Sequence, residues 1–300
     1  MTLDELNQRF AIGNHVQFKE IAEGMIVAEV ANQHALANIA LQGAHVATFQ
    51  PRGEEPVIWL SPHAKFVPGK SIRGGVPICW PWFGPHKTDS KLPGHGHART
   101  VPWEVLETKA LPDGSTFIRF GLVESDTTRA HWPHPSTAQL EVTVGKALRV
   151  ELVTTNTGNE AFELGEALHT YFQVSDVEKA VIKGLENCEY LDKVQDFARL
   201  TQQDHIVIES EVDRVYVNTP AECVIEDKGL KRAIRISKQG SNSTVVWNPW
   251  VEKANKMGDF GEDGHRNMVC IESGNAMENV VTIAPGETHR LVAVYSVEKL

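Results

Sequence analysis

The sequence predicts an all-β protein, built as one large antiparallel β-sandwich with few short helices. Apolar residues alternate with polar ones in many short segments, which is the pattern of strands with one buried face. Turn residues, mainly Gly, Asn, Asp and Pro, separate these segments at short intervals. No linker or change of composition interrupts the series, so we expect a single domain over residues 1–300.

The alternation is clearest in the middle of the chain. Apolar residues occupy every second position in 118–122 (IRFGL), 140–144 (LEVTV) and 148–152 (LRVEL). Gly145 and Lys146 separate the last two segments and suit a turn, so we predict an antiparallel hairpin there. Similar short apolar segments occur on both sides of this region: MIVAEVA, LANIALQ, AHVATFQP, PVIWLSP, CVIED, RAIRIS, STVVWNP, MVCIES, VVTIAP and HRLVAVYSV.

Three short helices are predicted beside these strands. Thr2 and Glu5 can form a capping box at the start of a first helix, with Leu3, Leu6 and Phe10 on one side of it. The other two candidates are SDVEKA near residue 175 and NPWVEKANKM near residue 250.

The charge and the cysteines limit the classes of function. The formal charge of −10, spread along the chain, argues against binding to nucleic acid or to an anionic membrane. No segment approaches the ~20 apolar residues of a membrane span, and the acidic N-terminus lacks the order of a signal peptide. The cysteines lie far apart without a CxxC motif, at Cys79, Cys188, Cys223 and Cys270. We therefore expect reduced thiols in a cytoplasmic protein, with neither a disulfide framework nor a zinc site.

The segment from Ser71 to Trp103 (SIRGGVPICWPWFGPHKTDSKLPGHGHARTVPW) differs from the rest of the chain. It combines two arginines, three histidines and three tryptophans with many Gly and Pro residues. Because proline removes a backbone donor and fixes φ, this segment cannot be a regular helix. A long loop of cationic and aromatic residues suits the wall of a ligand site. A structural loop that caps a sheet is the alternative, and composition favours neither.

His169 and Glu272 are candidates for acid–base chemistry. The ordinary pKa of histidine, ~6.5, lets His169 give or take a proton near neutral pH. Glu272 follows the apolar run 269–271 and is a candidate general base if it lines a cavity. Taken singly, each residue more often has a structural role, as a packed core histidine or a solvent-facing carboxylate.

Arg73 and Arg99 bracket the unusual segment. A guanidinium can bind phosphate or carboxylate through two hydrogen bonds, but it can equally pin a loop through ion pairs. His95 and His97 form an H-x-H pair, which raises the possibility of a metal site. The next glutamate, Glu104, stands at a poor spacing for such a site, so we expect no metal.

Several motifs together resemble one family, the hexose-6-phosphate mutarotases (glucose-6-phosphate 1-epimerases) of the aldose 1-epimerase superfamily. The matching segments, in the family's order and spacing, are SIRGGVPICWPWFGPH, LPGHGHARTVPWEV, ALHTYF with VSD, DRVY, VVWNPW, MGDF and VCIES. They span most of the chain. The resemblance implies a galactose-mutarotase-like supersandwich, in agreement with the strand prediction.

The resemblance also implies roles for six residues. They are the catalytic His169 and Glu272, the phosphate-binding Arg73 and Arg99, and the substrate-binding His95 and Asp213. Gly94 and His97 depart from the family pattern. Some relatives carry a side chain such as Gln at the position of Gly94, and the family often has Phe or Leu at that of His97. The sequence therefore leaves the preferred sugar open.

The function implied is an isomerase reaction, the interconversion of the α and β anomers of glucose 6-phosphate and related aldohexose 6-phosphates. Glu272 would remove the proton of the C1 hydroxyl and His169 would protonate the ring oxygen, without cofactor or metal. Two alternatives stay open, an aldose 1-epimerase for unphosphorylated sugars and a non-catalytic sugar-phosphate-binding domain. The expected partner is the small-molecule substrate of a monomeric protein, without nucleic acid or membrane.

Overall fold

A computed structural model describes residues 1–300 of the chain. Strands dominate it, which confirms the all-β prediction. The helices are α1 (Leu3–Phe10), α2 (Asp126–His131) and α3 (Trp250–Met257). The first strands are β1 (Val16–Ala22), β2 (Met25–Ala31), β3 (Ala35–Ala40), β4 (His45–Pro51), β5 (Ile78–Cys79), β6 (Trp103–Ala110), β7 (Thr116–Leu122), β8 (Ser136–Val144), β9 (Leu148–Asn156), β10 (Phe162–Leu164) and β11 (Glu166–Leu168). The remaining strands are β12 (Tyr171–Gln173), β13 (Val181–Lys183), β14 (Glu189–Asp192), β15 (Ala198–Thr201), β16 (Val212–Tyr216), β17 (Cys223–Asp227), β18 (Arg232–Gln239), β19 (Ser243–Asn248), β20 (Met268–Asn275), β21 (Val281–Ile283) and β22 (Thr288–Lys299).

Two of the three predicted helices are confirmed. Helix α1 begins with the predicted capping box between Thr2 and Glu5, and the segment near residue 250 forms α3. The helix predicted near residue 175 is wrong. Ser175 donates to the carboxylate of Asp227 through both its backbone N–H and its hydroxyl, and the segment that follows forms turns. Such side-chain hydrogen bonds compete with helix formation.

The strands form two eight-stranded sheets, one four-stranded sheet and one two-stranded ribbon. The first large sheet, called here the β9 sheet, has the order β13-β17-β18-β22-β9-β8-β7-β6. The second, called the β20 sheet, has the order β15-β14-β16-β19-β20-β11-β5, and β12 also pairs with β20. Strands β1 to β4 pair in succession, and β10 pairs with β21. The pairings between these strands are antiparallel, as predicted.

The predicted hairpin is present in the β9 sheet. Strands β8 and β9 pair with Val144 opposite Leu148 beside the turn. Along β8, buried residues alternate with partly or fully exposed ones, which is the pattern of a strand with one solvated face. The buried side chains of this sheet share one core with side chains of the β20 sheet, for example where Phe172 meets Tyr295 edge-on. The two sheets therefore form a sandwich.

Strands β19 and β20 have no solvated face. Every residue of both strands is buried. Val269 and Ile271 of β20 point into the main core, whereas Met268 and Cys270 belong to a second, smaller apolar cluster on the opposite face. Since side chains alternate between the two faces of a strand, β20 has one face in the core and one face toward this second cluster.

The segment from Ser71 to Trp103 is mostly irregular, as its prolines require. Before Trp103, where β6 begins, it contains only β5 and a single 3₁₀ turn at Ala98–Thr100. At Gly75 (φ 72°) a Cβ atom would lie 2.2 Å from His45 Nε2, and at Gly96 (φ 72°) it would lie 1.9 Å from the carbonyl oxygen of Trp80. The glycines therefore let the backbone pass close to neighbouring segments, which fixes the course of this loop.

All four cysteines are free thiols. None of the helices has the length and hydropathy that crossing a membrane requires.

Candidate active site

The cavities of the structure include five with volumes from about 340 to 600 Å³. Size therefore does not identify a functional site. One of them, with a volume of about 350 Å³, is lined by a largely buried histidine and a buried glutamate. Since β16, β19 and β20 all contribute to its lining, we call it the β20 cavity.

All six residues that the sequence singled out line the β20 cavity. They are Arg73, His95, Arg99, His169, Asp213 and Glu272. They come from four separate parts of the chain, so it is the fold that brings them together. Two lysines, Lys193 and Lys253, line the same cavity and were absent from the sequence prediction.

His169 and Glu272 are brought together by strand pairing. His169 lies between β11 and β12, and β20, which carries Glu272, is hydrogen-bonded to both of these strands. The distance from His169 Nε2 to Glu272 Oε1 is 3.3 Å. The side chains are 12% and 2% exposed, respectively, so the pair lies at the deep end of the cavity.

Burial changes the protonation of this pair. It raises the pKa of Glu272 well above its ordinary value, and the nearby carboxylate of Asp213 acts in the same direction. Burial lowers the pKa of His169 well below its ordinary value, and His95 and Arg99 add to the effect. The pair therefore favours a proton on Glu272 beside a neutral His169. This differs from the ionised carboxylate that ordinary pKa values predict at neutral pH.

His95 is a neutral hydrogen-bond donor in this cavity. Burial lowers its pKa to about 3. The backbone N–H of Gly84 donates to His95 Nδ1 over 3.3 Å, so Nδ1 carries a lone pair. We therefore assign the ring proton to Nε2. Since the ring lies 5.9 Å from that of His169, this N–H is available to a molecule bound beside the acid–base pair.

Arg73 is held in place by three contacts. Its Nε donates to Asp259 Oδ1 and its Nη1 donates to the hydroxyl of Tyr171, both over 2.9 Å. The guanidinium also lies over the ring of Phe260, at 4.9 Å from the ring centroid. Part of its charge is therefore already paired within the protein.

Arg99 is freer than Arg73. Its side chain donates one hydrogen bond, from Nη2 to the carbonyl oxygen of Gly94 over 3.0 Å, and it pairs with no carboxylate. A carbonyl oxygen leaves the positive charge uncompensated. Arg99 is therefore the stronger candidate of the two for binding an anionic group.

Asp213 lies between the two lysines. The distance from Lys193 Nζ to Asp213 Oδ1 is 3.0 Å, and that from Lys253 Nζ to Asp213 Oδ2 is 3.9 Å. Lys253 also pairs with Glu211 over 2.7 Å. Four cationic side chains and two carboxyl groups thus line the β20 cavity, which gives a positive lining inside an acidic protein.

Aromatic side chains orient the imidazole of His169. Tyr171 stacks on it with 5.1 Å between ring centroids and 15° between ring planes. Trp247 meets it edge-on at 5.7 Å. Because Tyr171 also accepts the hydrogen bond from Arg73, the position of the imidazole is coupled to that arginine.

The H-x-H pair does not form a shared ligand set. His95 lines the β20 cavity, but His97 is buried elsewhere, edge-on against Trp80 and Trp82 at 5.6 Å and 5.9 Å. His86 packs on the ring of Trp82 at 4.7 Å. His86 and His97 therefore have packing contacts outside this cavity.

Comparison with known proteins shows the family of the chain. The family model described as aldose 1-epimerase matches residues 27–296. The chain belongs to the aldose 1-epimerase family. An Escherichia coli K12 protein named "Putative glucose-6-phosphate 1-epimerase" is 41% identical over 244 residues, which cover 81% of this chain and 80% of the relative. A Cenchrus ciliaris protein of the same name is 38% identical over 267 residues, covering 86% of this chain and 80% of the relative.

Solved structures share the fold of this aldose 1-epimerase family member. A Salmonella typhimurium protein described as "a putative mutarotase (YeaD)" superposes with a TM-score of 0.90 at 34% identity, over 97% of this chain and 96% of the other. A "galactose mutarotase-like protein" of Clostridium acetobutylicum superposes with a TM-score of 0.70 at 13% identity, over 95% and 98% of the chains. The supersandwich fold implied by the motifs is confirmed.

The two lysines of this family member carry no recognisable signal in the sequence. Lys193 begins a single 3₁₀ turn, Lys193–Gln195, and Lys253 lies on α3. Lysines on turns and short helices usually face solvent, so their residue type and position do not distinguish them. Only the fold shows that both point toward Asp213.

Proposed function

We propose that this protein is a hexose-6-phosphate mutarotase, which interconverts the α and β anomers of glucose 6-phosphate and related aldohexose 6-phosphates. The observation that carries the proposal is the pairing of His169 with Glu272 at the deep end of a cavity with four cationic side chains. Such a cavity suits proton transfer on a phosphorylated sugar. The names of the relatives support the same reaction.

The reaction needs two proton transfers in each direction. Glu272 takes the proton of the C1 hydroxyl while His169 gives a proton to the ring oxygen O5. The C1–O5 bond breaks, and the C1–O1 bond becomes the carbonyl of the open aldehyde. Rotation about C1–C2 presents the opposite carbonyl face to the O5 hydroxyl, and ring closure returns both protons.

The pair works with one mobile proton. Transfer between Glu272 Oε1 and His169 Nε2 converts the neutral pair into the ionised pair without changing its total charge. Ring opening by the ionised pair leaves Glu272 protonated and His169 neutral, which is the state that burial favours. The roles then reverse for ring closure, so the same two groups serve both steps.

The cationic side chains provide the site for the phosphate. Arg99 has no carboxylate partner and offers its fork to phosphate oxygens. Arg73, Lys193 and Lys253 add positive charge to the same lining. Because each of these four lines the cavity, a phosphate on C6 can be held while C1 and O5 face the acid–base pair.

His95 and Asp213 contact the sugar itself in this proposal. The Nε2–H of His95 donates to O5 or a neighbouring hydroxyl. Asp213, whose side chain is 10% exposed, accepts hydrogen bonds from sugar hydroxyls. Phe83 and Trp247 also line the cavity and provide apolar surface for the C–H face of the ring.

Exchange NMR tests this proposal. Wild-type protein is added to equilibrated glucose 6-phosphate, and the rate of exchange between the two C1 proton signals is compared with buffer. We expect acceleration that Glu272→Gln and His169→Asn each lower by about 10²- to 10⁴-fold. An exchange rate equal to that in buffer would contradict the enzyme proposal. The alternative of a non-catalytic sugar-phosphate-binding domain would then remain.

The same assay separates phosphorylated from free aldoses, the other alternative. We expect faster exchange with glucose 6-phosphate than with glucose, since four cations line the cavity. Equal rates for both sugars, unaffected by Arg99→Ala, would show an aldose 1-epimerase for unphosphorylated substrates.

We also propose a cytoplasmic, monomeric enzyme that needs no metal or cofactor for turnover. Four free cysteines support a reducing compartment. Full activity after dialysis against EDTA, and a monomer mass in sedimentation experiments, are the expected results. A dimer mass or loss of turnover in EDTA would contradict this.

A further inference from the structure

Cys270 lies beside the acid–base pair but has no part in the proposed proton transfers. It precedes Glu272 by two positions on β20, and residues two apart point to the same face of a strand. Its thiol is buried. The face that carries both side chains is the one opposite the main core.

Three potential metal ligands meet at this point. The ligand atoms of His169, Cys270 and Glu272 all lie within 4.8 Å of one another. Ligands on a tetrahedral zinc ion stand about 3.4 Å apart, given metal–ligand bonds of about 2.0 to 2.3 Å. The 3.3 Å between His169 Nε2 and Glu272 Oε1 already meets this value. The Cys270 sulfur lies within 4.8 Å of both atoms and has to approach them to share one ion.

The second oxygen of Glu272 is also available to a ligand. Oε2 is buried and has no hydrogen-bond partner. Buried polar atoms in proteins are almost always hydrogen-bonded, so an orphaned carboxyl oxygen at the base of a cavity indicates a place for a bound group. Both the sugar and a cation can satisfy it.

Charge decides which cations fit. Metal binding releases the thiol proton of Cys270 and the proton on Glu272 to solvent. The resulting thiolate and carboxylate balance a divalent ion, and the neutral imidazole adds a third ligand without further charge. Arg73 and Arg99 line the same cavity and oppose any cation there. Hard ions such as Mg²⁺ bind a thiolate weakly, so their binding free energy does not overcome this repulsion. Ions with affinity for thiolate gain the additional free energy of the metal–sulfur bond.

We propose that His169, Cys270 and Glu272 form an inhibitory site for a thiophilic divalent cation such as Zn²⁺ or Cd²⁺. The ion binds three protein ligands, and its fourth position faces the cavity where the sugar binds. Because it occupies both members of the acid–base pair, it excludes catalysis and competes with the sugar phosphate. The metal site stands on its own geometry, and the inhibition rests on the proposed mutarotase function.

Titration of the intact protein with Cd²⁺ tests the site without reference to activity. Ultraviolet absorption of the cadmium–thiolate bond reports binding. We expect the absorption in wild type and in Cys223→Ser, a matched control at a buried cysteine outside the three-residue cluster, but not in Cys270→Ser. Cys270→Ala serves as the second variant, with circular dichroism to confirm its fold. Absence of the absorption in wild type, or its persistence in both folded Cys270 variants, would overturn the proposal.

Inhibition is measured by anomer exchange with glucose 6-phosphate in the presence of Zn²⁺. We expect competitive inhibition that EDTA reverses, and a rise of at least ~10-fold in the inhibitory concentration for Cys270→Ala. An unchanged inhibitory concentration in that variant would refute an inhibitory role for this site. If wild type shows the cadmium absorption but no anomer exchange, the mutarotase proposal fails and the metal site remains.

Discussion

The β9 sheet and the β20 sheet differ in strand length and in burial. Strand β8 of the β9 sheet has nine residues and turns a polar face outward at every second position. In the β20 sheet, β5, β11 and β12 have two or three residues each, and β19 and β20 are buried throughout. The β9 sheet contributes no residue to the lining of the β20 cavity. That lining comes from the β20 sheet, from α3 and from the loops beside them.

This difference has a physical reason. A continuous strand fixes each side chain to one of two faces, so it suits a core. Where pairing is interrupted, as between β11 and β12, His169 can turn into a cavity while its neighbours keep their hydrogen bonds. The interruption thus positions His169 beside Glu272, which the continuous strand β20 carries, whereas the long strands of the β9 sheet supply stability. The predictions below separate these two contributions.

Glu272→Gln in the β20 sheet has the largest expected effect on turnover. The amide keeps the shape of the side chain but cannot accept the C1 proton as a carboxylate does, so kcat should fall by about 10²- to 10⁴-fold. Exchange NMR measures the rate, and chemical unfolding checks that stability is retained. The matched control is Glu141→Gln on the outward face of β8, which should leave kcat unchanged. An anomer exchange rate in Glu272→Gln close to that of wild type would show that Glu272 is not the catalytic base.

Leu140→Ala in the β9 sheet should have the opposite effect, a loss of stability without a loss of kcat. Leu140 is 1% exposed, so truncation leaves a cavity and should lower the free energy of unfolding by about 2 to 5 kcal/mol. The kcat of the folded fraction should not change. Thr137→Ala, at an exposed position of the same strand, is the control and should alter stability by less than about 0.5 kcal/mol. A large loss of kcat without loss of stability would show that the two sheets are not separate in function.

The same contrast explains what could be predicted from the sequence. The hairpin of β8 and β9 follows from period-two alternation and a Gly-Lys turn, and the structure has it. Strands such as β5 are too short to show a period, and β20 is buried on both faces, so neither alternates. Periodicity therefore identifies the sheet that supplies stability better than the sheet that carries the site.

For the candidate site, the motifs indicated six lining residues but not the partners that alter their behaviour. Nothing in the sequence shows that Asp259 and Tyr171 hold Arg73, or that two lysines flank Asp213. These contacts join positions far apart in the chain, so only the folded structure reveals them. The pKa shift of Glu272 has the same origin, because burial is a property of the fold.

Arg99→Ala and Arg73→Ala should have different effects, although both arginines match the same motif role. Loss of Arg99 removes a charge-assisted contact worth about 1.5 to 3 kcal/mol, so kcat/KM for glucose 6-phosphate should fall by roughly 10- to 100-fold. Glucose, which has no phosphate, should be little affected. Arg73→Ala should impair both sugars, because it also frees Tyr171, which stacks on His169.

Steady-state exchange rates for both sugars, measured with each variant, give the comparison directly. A selective loss for glucose 6-phosphate in Arg73→Ala, equal to that in Arg99→Ala, would contradict the positioning of His169 through Tyr171. That result would indicate that the two arginines have equal roles in phosphate binding.

The smallest expected effect is that of pH on the wild-type protein. Its kcat/KM for glucose should stay constant across the neutral range. The lowered pKa of His169 keeps the ring from gaining a proton as the pH falls through ~6.5, and the raised pKa of Glu272 keeps its proton as the pH rises past ~4.5. The pair thus holds one mobile proton throughout, whereas a solvated Glu–His pair would lose it near ~6.5. Glucose is used because a phosphate monoester itself titrates near pH ~6, and a chelator is included.

A tenfold fall in kcat/KM per unit above pH ~6.5 would contradict this arrangement. His205→Asn, at an exposed histidine, is the control and should leave the profile unchanged. Asp213→Asn sharpens the test. Since the negative charge of Asp213 raises the pKa of Glu272, its removal should lower that pKa and move the alkaline fall of kcat/KM to lower pH. A shift in this direction would tie the proton on Glu272 to the charges that line the β20 cavity.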